Sequence, residues 1–422
     1  MKRIAIVDGF SSGKYIAQEL HNRGCELIHI SSSPDLDEYY YQNFNSEIYS
    51  QSIIHKNMRE TLNFIRDFNS EYVIPGTESG VSLADIINHE LQLPYRNHIE
   101  MASSRRNKYD MGEAVRSAGL NAAKQIKVSN WQDALIWLRN GRFPIVLKPL
   151  ESAGSDGVFI CHHEDEAYAA FQQILNKKNK LNLINKEILL QEFLEGIEYV
   201  VNLVFFKGAS LVTEVVKYHK RKLESGNIVY DIDEIIDATD PAFQELVGYT
   251  QKVCASLGIE NGPVHAEVML TPNGPFLVEI AARSDGILRP EVSDATTGLG
   301  QLAATVLSIT EPDSFLALTK KPFYQLKKFS FNVCLISPQS GIFESSKIIS
   351  LAKSLPSFVK IELYVPSGHK VYETKDVFSQ PGTIYLASAD KSRLWADYQL
   401  IREQERERIY FVQMDNTDRP LS

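Results

Sequence analysis

The fold turns on Val264-His265-Ala266-Glu267-Val268-Met269-Leu270 and, after a gap of four residues, Pro275-Phe276-Leu277-Val278-Glu279-Ile280. Both runs are apolar enough for strands, yet each carries one glutamate, and Arg283 follows the second glutamate by four residues. Two carboxylates aimed into one sheet surface are unstable without a cation, because an uncompensated buried charge is strongly destabilising. A shared divalent ion is the simplest remedy, and oxygen donors suit magnesium, so Glu267 and Glu279 are candidate metal ligands. Arg283 would then hold an anion beside that ion. Upstream, Phe143-Pro144-Ile145-Val146-Leu147-Lys148-Pro149 reads as a strand ending in lysine, and Glu151-Ser152-Ala153-Gly154-Ser155-Asp156-Gly157-Val158 as a turn of small residues. A lysine, a small-residue loop and two metal carboxylates make a triphosphate site.

Composition narrows the classes. With 422 residues the chain is too long for one ordinary core, which predicts two to four domains. A formal charge of −9 argues against a polyanion-binding face, so nucleic acid is not an expected partner. The amino terminus shows no apolar signal region, and no run of about 18 apolar residues occurs, so the expectation is a soluble cytoplasmic protein with no membrane partner. Cys25, Cys161, Cys254 and Cys334 lie far apart and form no C-x-x-C pair, which reads as buried free thiols.

Working outward, residues 3–7, 27–31 and 72–74 read as buried parallel strands, with helical spacing at 14–23 and 58–68, an open α/β unit over residues 1–100. The turn Asp8-Gly9-Phe10-Ser11-Ser12-Gly13-Lys14 lacks the spacing of G-x-G-x-x-G, and tight strand-to-helix turns need small residues in any case. A helix opens at Asn107-Lys108-Tyr109-Asp110-Met111 and leads into a second domain. Strands at 188–191 and 199–206 alternate with helices at 132–139 and 242–257, and the Lys- and Asn-rich stretch 177–186 reads as an exposed loop. A third unit follows residue 319, with strands at 329–336, 360–365 and 382–387. It closes on a helix at 391–408 whose mixed charges predict a solvated face.

This layout resembles the ATP-grasp superfamily of carboxylate–amine ligases over residues 1–318. The run Glu279-Ile280-Ala281-Ala282-Arg283 is similar to that of the bacterial L-amino-acid ligases, which join two free amino acids. The resemblance implies an α/β chain: a Rossmann-like open parallel domain (1–100), a linker helix and small lid subdomain (101–190), a large ATP-grasp subdomain (191–318) and an α+β carboxy-terminal lobe (319–422). Most grasp enzymes carry asparagine two residues after the second glutamate; here that position is Ala281.

Carried over by position, the resemblance gives Lys108 and Lys148 to the ATP phosphates and places the loop with Ser152 and Gly154 over them. It sets main-chain groups of Gln191, Glu192 and Leu194 at the adenine edge, Glu198 on the ribose, Met269 under the adenine and magnesium, in two ions, on Glu267 and Glu279. His265 beside Glu267 raises zinc as an alternative, against which stands the lack of further His or Cys at useful spacing.

The implied reaction transfers the γ-phosphoryl of ATP to one amino acid's carboxylate, and the amine of a second then attacks the aminoacyl phosphate. Arg283 and the main chain of Gly286 are the candidates for stabilising the resulting oxyanion. Glu78, Asp231 and Asp233 are candidate partners for a substrate ammonium, and this surplus of acid nominates arginine as the amine-side substrate. The expected partners are thus two amino acids, with a homodimer as the candidate assembly. A bicarbonate-activating carboxylase and a non-catalytic nucleotide-binding regulator are the competing readings.

Overall fold

The structure, a computed structural model, describes residues 1–36, 41, 44–152, 156–224, 226–287, 289–321 and 323–411. The chain gathers into two compact units, one of Met1–Glu214, Pro241–Leu288 and Leu299–Tyr324, the other of Val215–Asp240, Arg289–Gly298 and Gln325–Ser422.

The first unit begins with a parallel sheet ordered Gln51–Ile54, Glu26–Ser31, Arg3–Val7, Tyr72–Pro75. Its central strands are buried beyond their first residue because helices cover both faces, whereas Gln51–Ile54 is a mostly exposed edge strand that its polar character had hidden. Helix Gly13–Asn22 turns Ile16, Ala17 and Leu20 inward at helical spacing. Helix Met58–Phe68 is fixed at one end by Asn57, whose side chain accepts from the Glu60 N–H, and at the other by Asn69 in the left-handed region. The loop from the first strand passes very close to the end of the fourth: a Cβ on Gly13 would stand 2.5 Å from the Gly76 Cα, so only glycine fits.

Next comes an antiparallel sheet ordered Gln125–Val128, Ile188–Glu192, Ile145–Pro149, Phe159–Cys161. Helices Trp131–Asn140 and Glu164–Ile174 cover one face, and Ala134, Leu138, Ala167, Phe171 and Ile174 join Val128, Ile145, Leu147, Ile188 and Leu190 in its core. A second antiparallel array, Gly274–Ala281, Gly262–Thr271, Ile197–Phe206 and the start of Ala209–Lys222, packs on helices Phe243–Ser256 and Gln301–Thr310.

The second unit is built on a sheet ordered from the end of Ala209–Lys222 through Ile228–Ile235, Phe329–Cys334 and Gly382–Ser388 to Phe358–Leu363. One face carries the core, with Ile232, Phe331, Val333, Ile384 and Leu386 against helices Ser345–Ser354 and Lys391–Arg406. That last helix is solvated on one side only, for Leu394, Tyr398, Ile401, Arg402 and Glu405 are buried. All four cysteines are free and buried.

Asp231, expected to meet a substrate, is consumed inside this unit. Its Oδ1 accepts from Arg402 Nη2 at 2.6 Å and its Oδ2 from Arg221 Nε at 3.0 Å and Tyr398 Oη at 2.8 Å. Arg402, 2% exposed, also donates to the Cys334 carbonyl and to Glu405, which in turn accepts from the Ile336 N–H and the Tyr410 hydroxyl. Removing one member of a buried ion network strands the others without compensation. We therefore expect Arg402→Met to lower the stability of this unit by about 3–5 kcal/mol. The measurement is urea unfolding followed through Trp395 in a Trp131→Phe, Trp137→Phe background; an unshifted midpoint would show that the network carries no stability.

Candidate active site

Glu267 and Glu279 stand opposite one another on the antiparallel strands Gly262–Thr271 and Gly274–Ala281. The register jumps there: Glu267 pairs with Glu279 but Val268 with Leu277, leaving Val278 as an extra residue. Such a bulge re-aims side chains, and it sets Phe276 and Glu279 on the face that already carries Glu267 and Met269. That face is partly open, with the two carboxylate side chains 32% and 29% exposed, while Val264, Ala266, Val268, Leu277 and Ile280 close the other.

Cations from two other elements converge on the glutamates. Lys108 opens the helix Lys108–Ser117, whose cap is Asn107, its side chain accepting from the Tyr109 and Asp110 N–H groups. The Lys108 ammonium lies 3.0 Å from Glu279 Oε1 and 3.5 Å from the Ser152 carbonyl, and its main-chain N–H donates to the Leu150 carbonyl. Lys148, near the end of Ile145–Pro149, is fully enclosed. Burial, reinforced by repulsion from Lys108, pulls its ammonium down to about 8 despite the opposing attraction of Glu279 and Glu267. Ser152 donates its hydroxyl to Asp156 at 2.8 Å. Gly154, expected in the same loop, lies outside the described residues.

A second group of charges involves Arg283. Its Nε donates to Glu78 Oε2 at 2.9 Å and its Nη1 to the Ser284 carbonyl, while Arg106 binds the other oxygen of Glu78. Burial opposes ionisation of Glu78, but Arg106, Arg283 and Lys108 overcome it and hold the carboxyl below its ordinary range. Glu78 sits just past the carboxyl end of strand Tyr72–Pro75, where ligands collect in open α/β sheets. Arg106 was not among the expected residues, although the Arg105-Arg106 doublet before the helix cap was visible in the chain.

Behind the glutamates a buried polar network fixes the turn after Arg283. His265 Nδ1 lies 3.2 Å from Asp285 Oδ2 and 3.1 Å from Asn202 Oδ1, and its Nε2 lies 3.5 Å from Glu267 Oε1. Burial disfavours the imidazolium, but Asp285 and Glu267 outweigh it and raise His265 to about 9, so the ring is a cation at neutral pH. The Asp285 N–H donates to Gln301 Oε1, and Asp285 Oδ1 accepts from the Ile287 N–H at 2.7 Å, which brackets Gly286 in a fixed turn. The turn lies against the first loop, for Ser12 Oγ donates to the Ser284 carbonyl.

The residues expected around the adenine and ribose are spread along neighbouring strands. Glu198 pairs in register with Met269. Gly196 must be glycine, since a Cβ there would stand 2.3 Å from the Leu270 carbonyl oxygen. Gln191 is buried and donates to Gln125, and Leu194 is half-buried beyond the strand end. Glu192 is already engaged, its N–H with the Lys124 carbonyl and its carboxylate with the Lys124 N–H. Asp233 lies in the second unit.

Among the described residues no group of three or more His, Cys, Asp or Glu side chains could hold a metal ion. Glu267 and Glu279 offer carboxylate oxygens alone, and the nearby imidazole of His265 is committed to Asp285 and Glu267. Such a sparse, hard donor set fits magnesium, which keeps water and phosphate oxygens in its shell, and not a closed zinc site.

A lysine-bearing antiparallel sheet, a second sheet bearing paired glutamates and a parallel α/β domain before them define the nucleotide-dependent ligase class. An ATP-grasp domain family matches residues 141–290. Over 407 residues, 95% of each chain, the sequence is 32% identical to dapdiamide A synthase of Enterobacter agglomerans. It is also 26% identical, over 186 residues and 43% of each chain, to the L-arginine-specific L-amino acid ligase of Bacillus subtilis. The fold matches that of L-amino acid ligase from Bacillus licheniformis with a TM-score of 0.75, at 16% identity and covering 99% of both chains. The chain belongs to the ATP-grasp L-amino-acid ligases. It is therefore an enzyme, an ATP-dependent carboxylate–amine ligase with two substrates to join, and the regulator reading falls. No helix among the described residues is long and apolar enough to cross a membrane.

Lys148 sets a pH test. Below about 8 its ammonium is charged and ready for an anion; above that the proton is lost. Because its folded value lies below the ordinary lysine value, the charged form destabilises the empty protein, and that loss is relieved as pH rises from about 8. If Lys148 binds a nucleotide phosphate, affinity should decline above pH 8, by up to about tenfold per unit for one linked proton. Titration calorimetry with ATP between pH 7 and 10 would show it, and Lys148→Arg should flatten the profile. A wild-type profile that is already flat would remove Lys148 from the nucleotide site.

Proposed function

We propose that this enzyme forms a peptide bond between two free L-amino acids through an aminoacyl phosphate, releasing ADP and phosphate. The observation that carries the reading is the Glu267–Glu279 pair, with Lys108 on one carboxylate and Arg283 four residues beyond it. Glu267 and Glu279 would hold magnesium, which when bound neutralises phosphate charge. Lys108 and Lys148 hold the phosphate chain, with Ser152 beside Lys108. Phosphoryl transfer needs mainly this positioning and charge compensation. Gln191, Leu194, Glu198 and Met269 receive the nucleoside; at Glu192 only the main-chain carbonyl is offered, since its N–H is taken.

In the second step charge develops on the carbonyl oxygen as the amine attacks. Arg283 and the main chain of Gly286 would receive it, and the Asp285–Ile287 hydrogen bond supports that reading by holding the turn before charge appears. Glu78 takes the ammonium of an amino acid when Arg106 and Arg283 yield part of their hold on it. Asp231 has no part in the proposal. The acids that nominated arginine as amine-side substrate are, at Glu78 and Asp231, matched by arginines of the chain itself, so arginine stands as one member of a substrate screen.

Glu267→Gln and Glu279→Gln should each reduce amino-acid-dependent phosphate release by at least about a hundredfold, as loss of charge stabilisation does, with unchanged circular dichroism. Normal turnover in either variant would remove the metal pair from the mechanism. A screen of amino-acid pairs for ATP-dependent phosphate release, with mass spectrometry of the products, tests the reaction itself. Release that needs bicarbonate and ignores amino acids would favour the carboxylase reading instead.

A further inference from the structure

Asn176, Asn179, Asn182 and Asn185 recur at every third position in the stretch whose composition had suggested a plain exposed loop. The stretch closes on itself as a small hairpin, with Lys177, Lys178 and Lys180 exposed along it. The Asn176 N–H donates to the Asn185 carbonyl at 2.8 Å, the Asn185 N–H to the Lys177 carbonyl at 2.9 Å and the Asn179 N–H to the Leu183 carbonyl at 2.9 Å. Asn176 and Asn182 turn through the left-handed region, which asparagine tolerates better than most residues.

Asn179 is the centre of this hairpin. Its Oδ1 accepts from the Leu181 and Leu183 N–H groups at 2.9 and 3.1 Å, and its Nδ2 donates to Asn185 Oδ1 at 2.9 Å and to the Glu151 carbonyl at 2.7 Å. All four hydrogen-bonding positions of the amide are thus used. Three of these bonds fold the hairpin, and the fourth leaves it. A second contact leaves it one residue later, where the Lys180 N–H donates to Asp156 Oδ2 at 2.8 Å. The same Asp156 oxygen accepts from the Ser152 hydroxyl, and the carbonyl of the buried Ser152 faces the Lys108 ammonium at 3.5 Å. The hairpin therefore grips the chain on both sides of Ser152. Its far end is held as well, for Asn182 Nδ2 donates to the Asp35 carbonyl at 2.5 Å, and all these residues belong to the first unit. A turn that only joined helix Glu164–Ile174 to strand Ile188–Glu192 would need none of the three outward contacts.

We propose that Asn179 is a positioning residue for the phosphate site: the hairpin fixes Glu151 and Asp156, which place Ser152 so that its carbonyl orients the Lys108 ammonium. Glu279, 3.0 Å away, draws that ammonium toward the paired carboxylates, and an acceptor on a different element sets the direction of its other N–H bonds. Asn179 itself touches no ligand. The inference rests on the proposed reading for placing Lys108 at the nucleotide phosphates, but it requires nucleotide binding only and not peptide-bond formation.

The test is calorimetric titration of the full chain with ATP and magnesium, beside competition by adenosine, which carries no phosphate. Asn179→Ala should weaken ATP by about tenfold, the loss expected when one hydrogen bond to a charged group is misplaced, and should leave adenosine unchanged. Asp156→Ala should do the same, whereas Asp156→Asn, which keeps an accepting oxygen, should bind ATP as the wild type does. Combining Asn179→Ala with Asp156→Ala should weaken ATP no further than the poorer single variant, because both act through one segment. Equal losses for ATP and adenosine, an unchanged ATP affinity in Asn179→Ala, or additive losses in the double variant would each overturn the positioning role. If Asn179→Ala does not fold, the Asp156 variants decide: the proposal stands only when Asp156→Ala weakens ATP selectively and Asp156→Asn does not. These binding effects without phosphate release for any amino-acid pair defeat the ligase reading and spare this one. Amino-acid-dependent release with an unchanged KM for ATP in Asn179→Ala defeats this one alone.

Discussion

The arrangement depends on electrostatic balance around two carboxylates held in register on adjacent strands. Glu267 and Glu279 would repel one another in a half-open sheet face, and the protein answers with cations from separate elements: Lys108 from a helix start, His265 from the same strand, Lys148 from a neighbouring sheet. Each cation is fixed from behind. Asn107 caps the helix of Lys108, Asp285 and Asn202 hold the His265 ring, and the strand that carries Lys148 buries its stem. Rigid placement of this kind lets a site stabilise charge without reorganising first.

The same balance shapes the route from Glu279 to the turn beyond it. Four residues separate the metal-type carboxylate from Arg283, and two more lead to Asp285, whose carboxyl faces back to His265. In the proposed mechanism this one short segment would serve both the nucleotide and the reacting carbonyl, and the buried Gln301 ties it to the Val264 carbonyl of the glutamate strand.

Much of this was legible in the chain where local pattern determines structure. The runs at Arg3–Val7, Ile145–Pro149 and Gly262–Thr271 are apolar enough to declare themselves, and the Glu267 and Glu279 strands are joined by a tight turn that nearly fixes their pairing. What escaped is non-local or contrary to pattern. Gln51–Ile54 is an edge strand with little buried surface, and the bulge at Val278 leaves no mark on a periodicity of two. Ile228–Ile235 reads as a string of acids, yet Asp231 is held by Arg402, 171 positions away, and no sequence spacing announces such a partner. Arg106 and Glu78 meet in the same unannounced way, across 28 positions.

The four buried thiols have a practical consequence. Burial raises Cys25, Cys254 and Cys334 above the ordinary thiol range and takes Cys161 up to about 11, so almost no thiolate exists at neutral pH. The native protein should therefore react slowly with maleimides and mild oxidants. A single cysteine introduced on any exposed position would react far ahead of them, giving a clean attachment point for a spectroscopic probe without first stripping the chain of its own sulfur.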